Sequence, residues 1–199
     1  LWACECACES ETAPMPPVIL FLGDSYTECY RLPAAHAFPA FVQEQLTAAD
    51  KSYRVINGGL AGDTTAGALR RLRNYLRQES ELAALVVELG WNDEINQVPL
   101  ADTRENLRQI IRLSREHSPD LKVFLFLMEA LGARDRRYTT DFAAMYVDLA
   151  REENVELLPF FMREVLGNPE LRQPDEVHPN VRGMQKVNAA VWRSLEGSL

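Results

Sequence analysis

Val18-Ile19-Leu20-Phe21-Leu22-Gly23-Asp24-Ser25 is the stretch that decides the fold: five apolar residues in a row, then a Gly-Asp-Ser turn. An apolar run without polar alternation reads as a strand buried on both faces, and sheets covered on both faces are parallel. The same pattern recurs downstream. Residues 53–57, 84–89, 122–127 and 155–159 are short runs rich in Val, Ile, Leu and Phe. Between them, 37–49, 64–78, 103–117 and 138–153 carry apolar residues three and four apart, and 181–195 supplies a final helix. Strands alternating with helical stretches predict an α/β fold, a three-layer α/β/α sandwich around a five-stranded parallel sheet. No internal repeat or low-complexity linker interrupts it. One domain is expected over 17–199, preceded by a flexible leader over 1–16.

The remaining composition narrows the function classes. With 199 residues, 47% of them hydrophobic, the chain can bury a real core in one domain. A formal charge of −8 would repel a phosphate backbone, so no nucleic-acid partner is expected. Two arginine clusters, Arg70, Arg71, Arg73 and Arg77, then Arg134, Arg136 and Arg137, read as solvated helix or loop surface. No run approaches the roughly 18 apolar residues of a membrane span, so no stable span is expected. Of the four cysteines, Cys4, Cys6 and Cys8 are too crowded for an easy disulfide, and no His or second Cys pair joins them as a metal site. Cys29 reads as a small buried filler. The sequence carries no signal for oligomeric state.

In an open parallel sheet, the loops leaving the carboxyl ends of the strands gather on one edge, where ligands bind. After the first strand comes Gly23-Asp24-Ser25, after the second Gly58-Gly59-Leu60-Ala61-Gly62-Asp63, and after the third Gly90-Trp91-Asn92-Asp93. After the fifth, before the last helix, comes Asp175-Glu176-Val177-His178-Pro179. Acyl transfer by serine needs a base for the hydroxyl proton, a third group that fixes the base, and donors for the oxyanion. Of His36, His117 and His178, the last alone has a carboxylate three residues earlier in the same loop. Ser25 as nucleophile, His178 as general base and Asp175 as its orienting carboxylate is therefore the economical assignment. It predicts activity that rises with pH as His178 becomes neutral. Gly23-x-Ser25-x-Thr27 lacks the second glycine of a nucleophile elbow, which disfavours an ordinary α/β-hydrolase.

Gly23-Asp24-Ser25, Gly62, Gly90-x-Asn92-Asp93 and Asp175-x-x-His178-Pro179 look like the four successive blocks of the SGNH (GDSL-type) hydrolases, over about residues 17–196. Leu60 to Thr65, Glu88-Leu89-Gly90, Arg137-Tyr138 and Leu157 to Met162 are similar to the bacterial thioesterase I, lysophospholipase L1 and arylesterase branch. The resemblance implies a flavodoxin-like SGNH fold and a serine esterase. Short to medium acyl esters or thioesters would be cleaved through an acyl-serine intermediate, with no metal or organic cofactor. It further implies an oxyanion hole made by the backbone N–H groups of Ser25 and Gly62 and the Asn92 side-chain amide. The partner implied is a small-molecule acyl ester or thioester. That branch is periplasmic or exported. In agreement, Leu1-Trp2-Ala3-Cys4 resembles the end of a bacterial lipoprotein signal, which would place a lipid anchor at Cys4 with the acidic, Pro-rich 9–17 as tether. A cloning remnant is the other reading of that segment.

The chain departs from the branch at two places beside the serine. Trp91 stands where Gly is usual, and Tyr26 where Leu is usual; each ring either packs under a loop or walls the substrate pocket. Asp93 and Val177 are further pocket candidates. Asp24 either caps a short helix or braces the Ser25 turn. The segment 128–134 lacks the branch's Pro-Pro-Asn-Tyr-Gly pattern, and 94–99 reads as a flap or a plain connector. The alternatives to an acyl esterase are a carbohydrate O-deacetylase of the same fold, a non-catalytic acyl-binding module, and a flavodoxin-like nucleotide binder. The last would want phosphate-cradling glycines where Asp24 stands.

Overall fold

A computed structural model describes residues 15–130 and 136–199, without the side chains of Arg136 and Arg137. The Cys4 anchor, the Cys4-Cys6-Cys8 run, most of the expected leader and tether, and 131–134 of the segment after the fourth strand lie outside the described residues. Five parallel strands, β1 (Val18–Gly23), β2 (Arg54–Gly59), β3 (Leu82–Glu88), β4 (Lys122–Phe126) and β5 (Glu156–Leu158), form one sheet in the order β2-β1-β3-β4-β5. β1 lies inside the sheet and all six of its residues are buried, as its unbroken apolar run requires. The chain moves outward from β1 to β2, then crosses back to β3 on the other side. Ser25 therefore leaves the sheet at its topological switch point, flanked by the loops that follow β2 and β3.

The long helices are α2 (Phe38–Ala48), α3 (Thr65–Gln78), α5 (Leu100–His117), α6 (Arg136–Glu152) and α8 (Val181–Leu195). Their apolar stripes pack on the sheet, and their ends carry the caps the sequence supplies: Thr64 accepts from the Gly67 N–H and Asn180 from the Gly183 N–H. The expected bounds shift modestly. The third strand begins at Leu82, where a Ser118 hydroxyl takes the Leu82 N–H, and α5 begins at Leu100, just after Pro99. The fifth strand pairs on one side only and is shorter than its apolar run.

Three short helices lie outside the expected helical stretches: α1 (Ser25–Glu28), α4 (Trp91–Ile95) and α7 (Arg163–Leu166). Two of them begin directly at the sheet edge and carry site residues. They are too short to show a helical period, so only their position after a strand could have announced them. α1 folds back over the sheet edge because Gly23 has no side chain: a Cβ there would sit 1.9 Å from Thr27 Oγ1 and 2.8 Å from Glu88 Oε2. Among the described residues no helix is long and apolar enough to cross a membrane.

Candidate active site

The structure brings Ser25, His178 and Asp175 together. Ser25 is the first residue of α1, so its N–H belongs to a first helical turn whose donors have no intrahelical acceptor. The Ser25 hydroxyl lies 2.9 Å from His178 Nε2, and His178 Nδ1 lies 2.9 Å from Asp175 Oδ2. The other Asp175 oxygen accepts the backbone N–H groups of Val177 and His178, each at 3.0 Å. Partial burial pushes the Asp175 carboxyl up, but the His178 and Val177 backbone N–H groups and the His178 ring outweigh it and hold the carboxyl at about 2. A carboxylate that can only accept fixes the proton of the neutral imidazole on Nδ1 and leaves the Nε2 lone pair facing the hydroxyl.

The imidazole loop is tied down from several directions. Arg172 and Pro179 form an antiparallel bridge, Gln173 donates through Nε2 to the carbonyls of Tyr30 and Pro179, and the Gln173 N–H reaches the His178 carbonyl at 2.7 Å. Tyr26 donates its phenol to the Val177 carbonyl at 3.4 Å. The rings of Tyr26 and Tyr30 flank the imidazole at centroid distances of 5.4 and 4.7 Å. His36 and His117 take no part: the His36 carbonyl accepts from Asn188, and His117 Nε2 contacts the Glu79 carbonyl.

A cavity of about 370 Å³ opens over Ser25, lined by Tyr26, Tyr30, Gly62, Trp91, Ile95 and His178 among others. Gly62 and Asn92 face it from the loops after β2 and β3. Gly62 adopts φ +77°, a left-handed turn conformation open to glycine, with nothing within 4 Å of where a Cβ would be. Asn92 donates one amide N–H to Asp24 Oδ2 at 3.0 Å, which leaves the second amide hydrogen of the same nitrogen for the cavity. Ser25, Gly62 and Asn92 thus line one cavity.

The remaining candidates divide. Asp24 Oδ1 caps α1 through the Tyr26 N–H at 3.1 Å, and its Oδ2 holds Asn92, a contact the sequence did not suggest. Trp91 is 1% exposed, donates its indole N–H to the Glu129 carbonyl at 2.6 Å, and meets Tyr26 edge-on at 4.6 Å and Phe160 at 5.6 Å, so it both packs and lines the cavity. Val177 lies at the rim, partly exposed. Asp93 is a correction. Its side chain points away from the cavity and accepts the Thr65 N–H at 2.8 Å and the Thr65 and Thr103 hydroxyls, tying α4 to α3 and α5, because the first turn of α4 sends consecutive side chains in different directions. Burial there pushes its carboxyl up.

Sequence reasoning missed Tyr30, Ala61 and Ile95 on the cavity wall, Glu88 beneath it, and Arg71. Arg71 is no surface charge: its guanidinium joins Asp63 at 2.7 Å to the carbonyls of Gly58 and Gly23, clamping the ends of β1 and β2. Residues 94–99 form hydrogen-bonded turns, with the Val98 N–H on the Asp93 carbonyl, as a connector does. Cys29 is buried, and burial pushes its thiol up to about 11. Among the described residues no group of three or more His, Cys, Asp or Glu side chains is arranged to hold a metal ion.

Residues 21–186 match the GDSL-like lipase/acylhydrolase family. The chain is 37% identical over 163 residues to thioesterase 1/protease 1/lysophospholipase L1 of Escherichia coli K12, covering 81% of this chain and 75% of that protein. It is 31% identical over 188 residues to an arylesterase of Vibrio mimicus, covering 94% and 92%. The crystal structure of the psychrotrophic esterase EstA from Pseudoalteromonas sp., inhibited by monoethylphosphonate, superposes with a TM-score of 0.84 at 26% identity, covering 90% of this chain and 97% of that one. A sheet ordered around β1, a serine at its switch point and a match over most of the length lead to one assignment: the chain belongs to the GDSL-like lipase/acylhydrolase family and is a carboxylic ester hydrolase.

Proposed function

We propose that Ser25, His178 and Asp175 are the catalytic triad of an esterase acting on short to medium acyl esters or thioesters. The observation that carries this is the continuous line from Asp175 Oδ2 through both ring nitrogens of His178 to Ser25 Oγ, with both contacts at 2.9 Å. His178 Nε2 takes the hydroxyl proton as Ser25 Oγ attacks the ester carbonyl. The Asp175 carboxylate stabilises the imidazolium, and the Ser25 and Gly62 N–H groups with the Asn92 amide receive the oxyanion. Collapse breaks the bond to the leaving oxygen or sulfur, which takes the proton from His178. Water, deprotonated by the same imidazole, then cleaves the acyl-Ser25 ester.

The geometry supports one orientation of the substrate. The leaving atom must lie beside His178 Nε2, so the alcohol or thiol side rests against His178 and Tyr30. Tyr26 stands between His178 and Trp91, touching both, so the acyl side runs over Tyr26 toward Trp91 and Ile95. That wall is apolar and closed by a buried indole, which suits a short to medium acyl chain better than a long one. The names of the relatives, thioesterase, lysophospholipase and arylesterase, support acyl esters and thioesters as the substrate class.

Fluorophosphonate labelling with peptide mapping tests the assignment. The native chain should form one covalent adduct at Ser25, and Ser25→Ala should abolish both the adduct and p-nitrophenyl ester hydrolysis. An adduct elsewhere, or none, would remove Ser25 from the mechanism. An acetylated oligosaccharide cleaved faster than every acyl ester would move the substrate to sugar acetates.

A further inference from the structure

Glu88 ends β3 directly after Leu85-Val86-Val87, and the register that pairs it with Gly23 sets its carboxyl under the nucleophile turn, 1% exposed. Its Oε2 accepts the Thr27 hydroxyl at 2.7 Å and the Asp24 N–H at 3.4 Å, while its Oε1 is buried with no donor to accept from. Beside it Asp24 is fully buried, holding the Tyr26 N–H and the Asn92 amide. The Asp24 N–H on Glu88 Oε2 sets the two carboxyl side chains side by side in one buried place. Two ionised carboxylates have only lone pairs to offer, so neither can satisfy the other unless one keeps a proton.

No Lys or Arg among the described residues pairs with either carboxyl. Arg71, which reaches the Gly23 carbonyl from α3, is spent on Asp63 and backbone oxygens. The other titratable groups facing the pair are Asp63 from the loop after β2, Tyr26 from α1 and Tyr146 from α6, whose phenol donates to the Leu89 carbonyl; none brings a positive charge. Two adjacent buried carboxyls without a cation retain one proton, since both cannot ionise. Burial accordingly pushes the Asp24 carboxyl up to about 7 and that of Glu88 well above its usual range.

We propose that Asp24 and Glu88 form a positioning pair that keeps one proton in the working enzyme, Glu88 carrying it and the Asp24 carboxylate aiming the Asn92 amide at the oxyanion. Asp24 is the ionised member because both its oxygens already accept N–H groups, whereas Glu88 has an oxygen with none. The charge matters for the amide's orientation. An ionised Asp24 can only accept, so Asn92 must turn its nitrogen inward and present a donor to the cavity. A neutral Asp24 could donate to the amide oxygen and allow the opposite rotamer, which puts an acceptor where the oxyanion forms. The proposal rests on the reading of Asn92 as an oxyanion donor.

The test combines infrared spectroscopy with kinetics on the full chain. At about pH 8, above the value of about 7 for Asp24, the native chain should show the carbonyl stretch of a protonated carboxylic acid that is missing in Glu88→Gln. Glu88→Ala and Asp24→Asn should each lower kcat by roughly 10- to 100-fold with KM within about twofold, the signature of a misaimed transition-state donor. Glu88→Gln, whose amide can donate to Asp24 as the acid does, should recover most of the turnover lost in Glu88→Ala. The absence of that band difference overturns the proposal, as does a Glu88→Gln no faster than Glu88→Ala with both folded by circular dichroism. If Glu88→Ala does not fold, the infrared comparison of the native chain with Glu88→Gln decides. Fluorophosphonate labelling of the native chain separates the two ideas: labelling at Ser25 without the acid band sinks the pair alone, and no labelling at Ser25 sinks the triad.

Discussion

Trp91→Ala should trade stability for a longer acyl specificity, and the two effects can be measured apart. The indole is 1% exposed, packs against Tyr26 and Phe160, and satisfies the Glu129 carbonyl. Its removal forfeits that packing and leaves a cavity, a loss of about 3–5 kcal/mol for a buried Trp. In a domain of this size each kcal/mol lowers Tm by about 2–4 °C, so a fall of roughly 6–20 °C is expected by calorimetry. The vacated volume joins the existing cavity of about 370 Å³ on the side assigned to the acyl group. Each methylene that enters it gains about 0.8 kcal/mol, about fourfold in kcat/KM if realised in the transition state. With p-nitrophenyl acetate, butanoate and octanoate as substrates, the octanoate-to-butanoate ratio of kcat/KM should rise by roughly one to two orders of magnitude, allowing for partial collapse of the space. A lowered Tm with an unchanged ratio would refute the reasoning: Trp91 would then support the site without walling the acyl path.

Asn92→Ala should lower kcat by about 10²–10³ with little change in KM, measured by steady-state kinetics on a short acyl ester. A rise in KM alone would mean that Asn92 binds the ground state only. Asp175→Asn should reduce kcat by about 10³–10⁴, because the amide no longer dictates the imidazole tautomer. Asp175 also carries a signed effect on stability: its folded pKa of about 2 lies below its ordinary value of 3.8, so its contribution is present above about pH 4 and lost as pH falls toward 2. The Tm advantage of the native chain over Asp175→Asn at pH 6 should therefore shrink between pH 4 and 2, and a constant difference would contradict the depressed pKa.

The fold was legible because burial on both faces leaves its mark on sequence: β1 is wholly apolar, and strands 2 to 4 lie within a few residues of the expected runs. The triad was legible because an imidazole with a carboxylate three residues before it is rare in a chain with three histidines. What stayed hidden depends on direction and register. Asp93 sits next to Asn92 in sequence, yet a helical turn sends it into the contact between α3 and α5, and only the fold decides which neighbour faces the cavity. Ile95 and Tyr30 belong to short segments whose side-chain directions no periodic pattern reports. Glu88 did leave a sign, a carboxyl closing an apolar strand, but its meaning required the pairing of β3 with β1 that brings it to Gly23. Arg71 looked like its solvated neighbours because charge alone does not show which arginine of a helix reaches inward.

The contact between Ser25 and His178 spans 153 positions of sequence, and the imidazole loop lies in the last-formed part of the chain, between β5 and α8. Closing so long a separation is entropically costly, and such contacts are made late in folding. Hydrolytic competence therefore reports completion of the whole topology rather than of any one part. With the proposed triad, a chain still emerging from synthesis, or one that has collapsed around β1 and β3 alone, carries Ser25 without His178 and stays chemically inert.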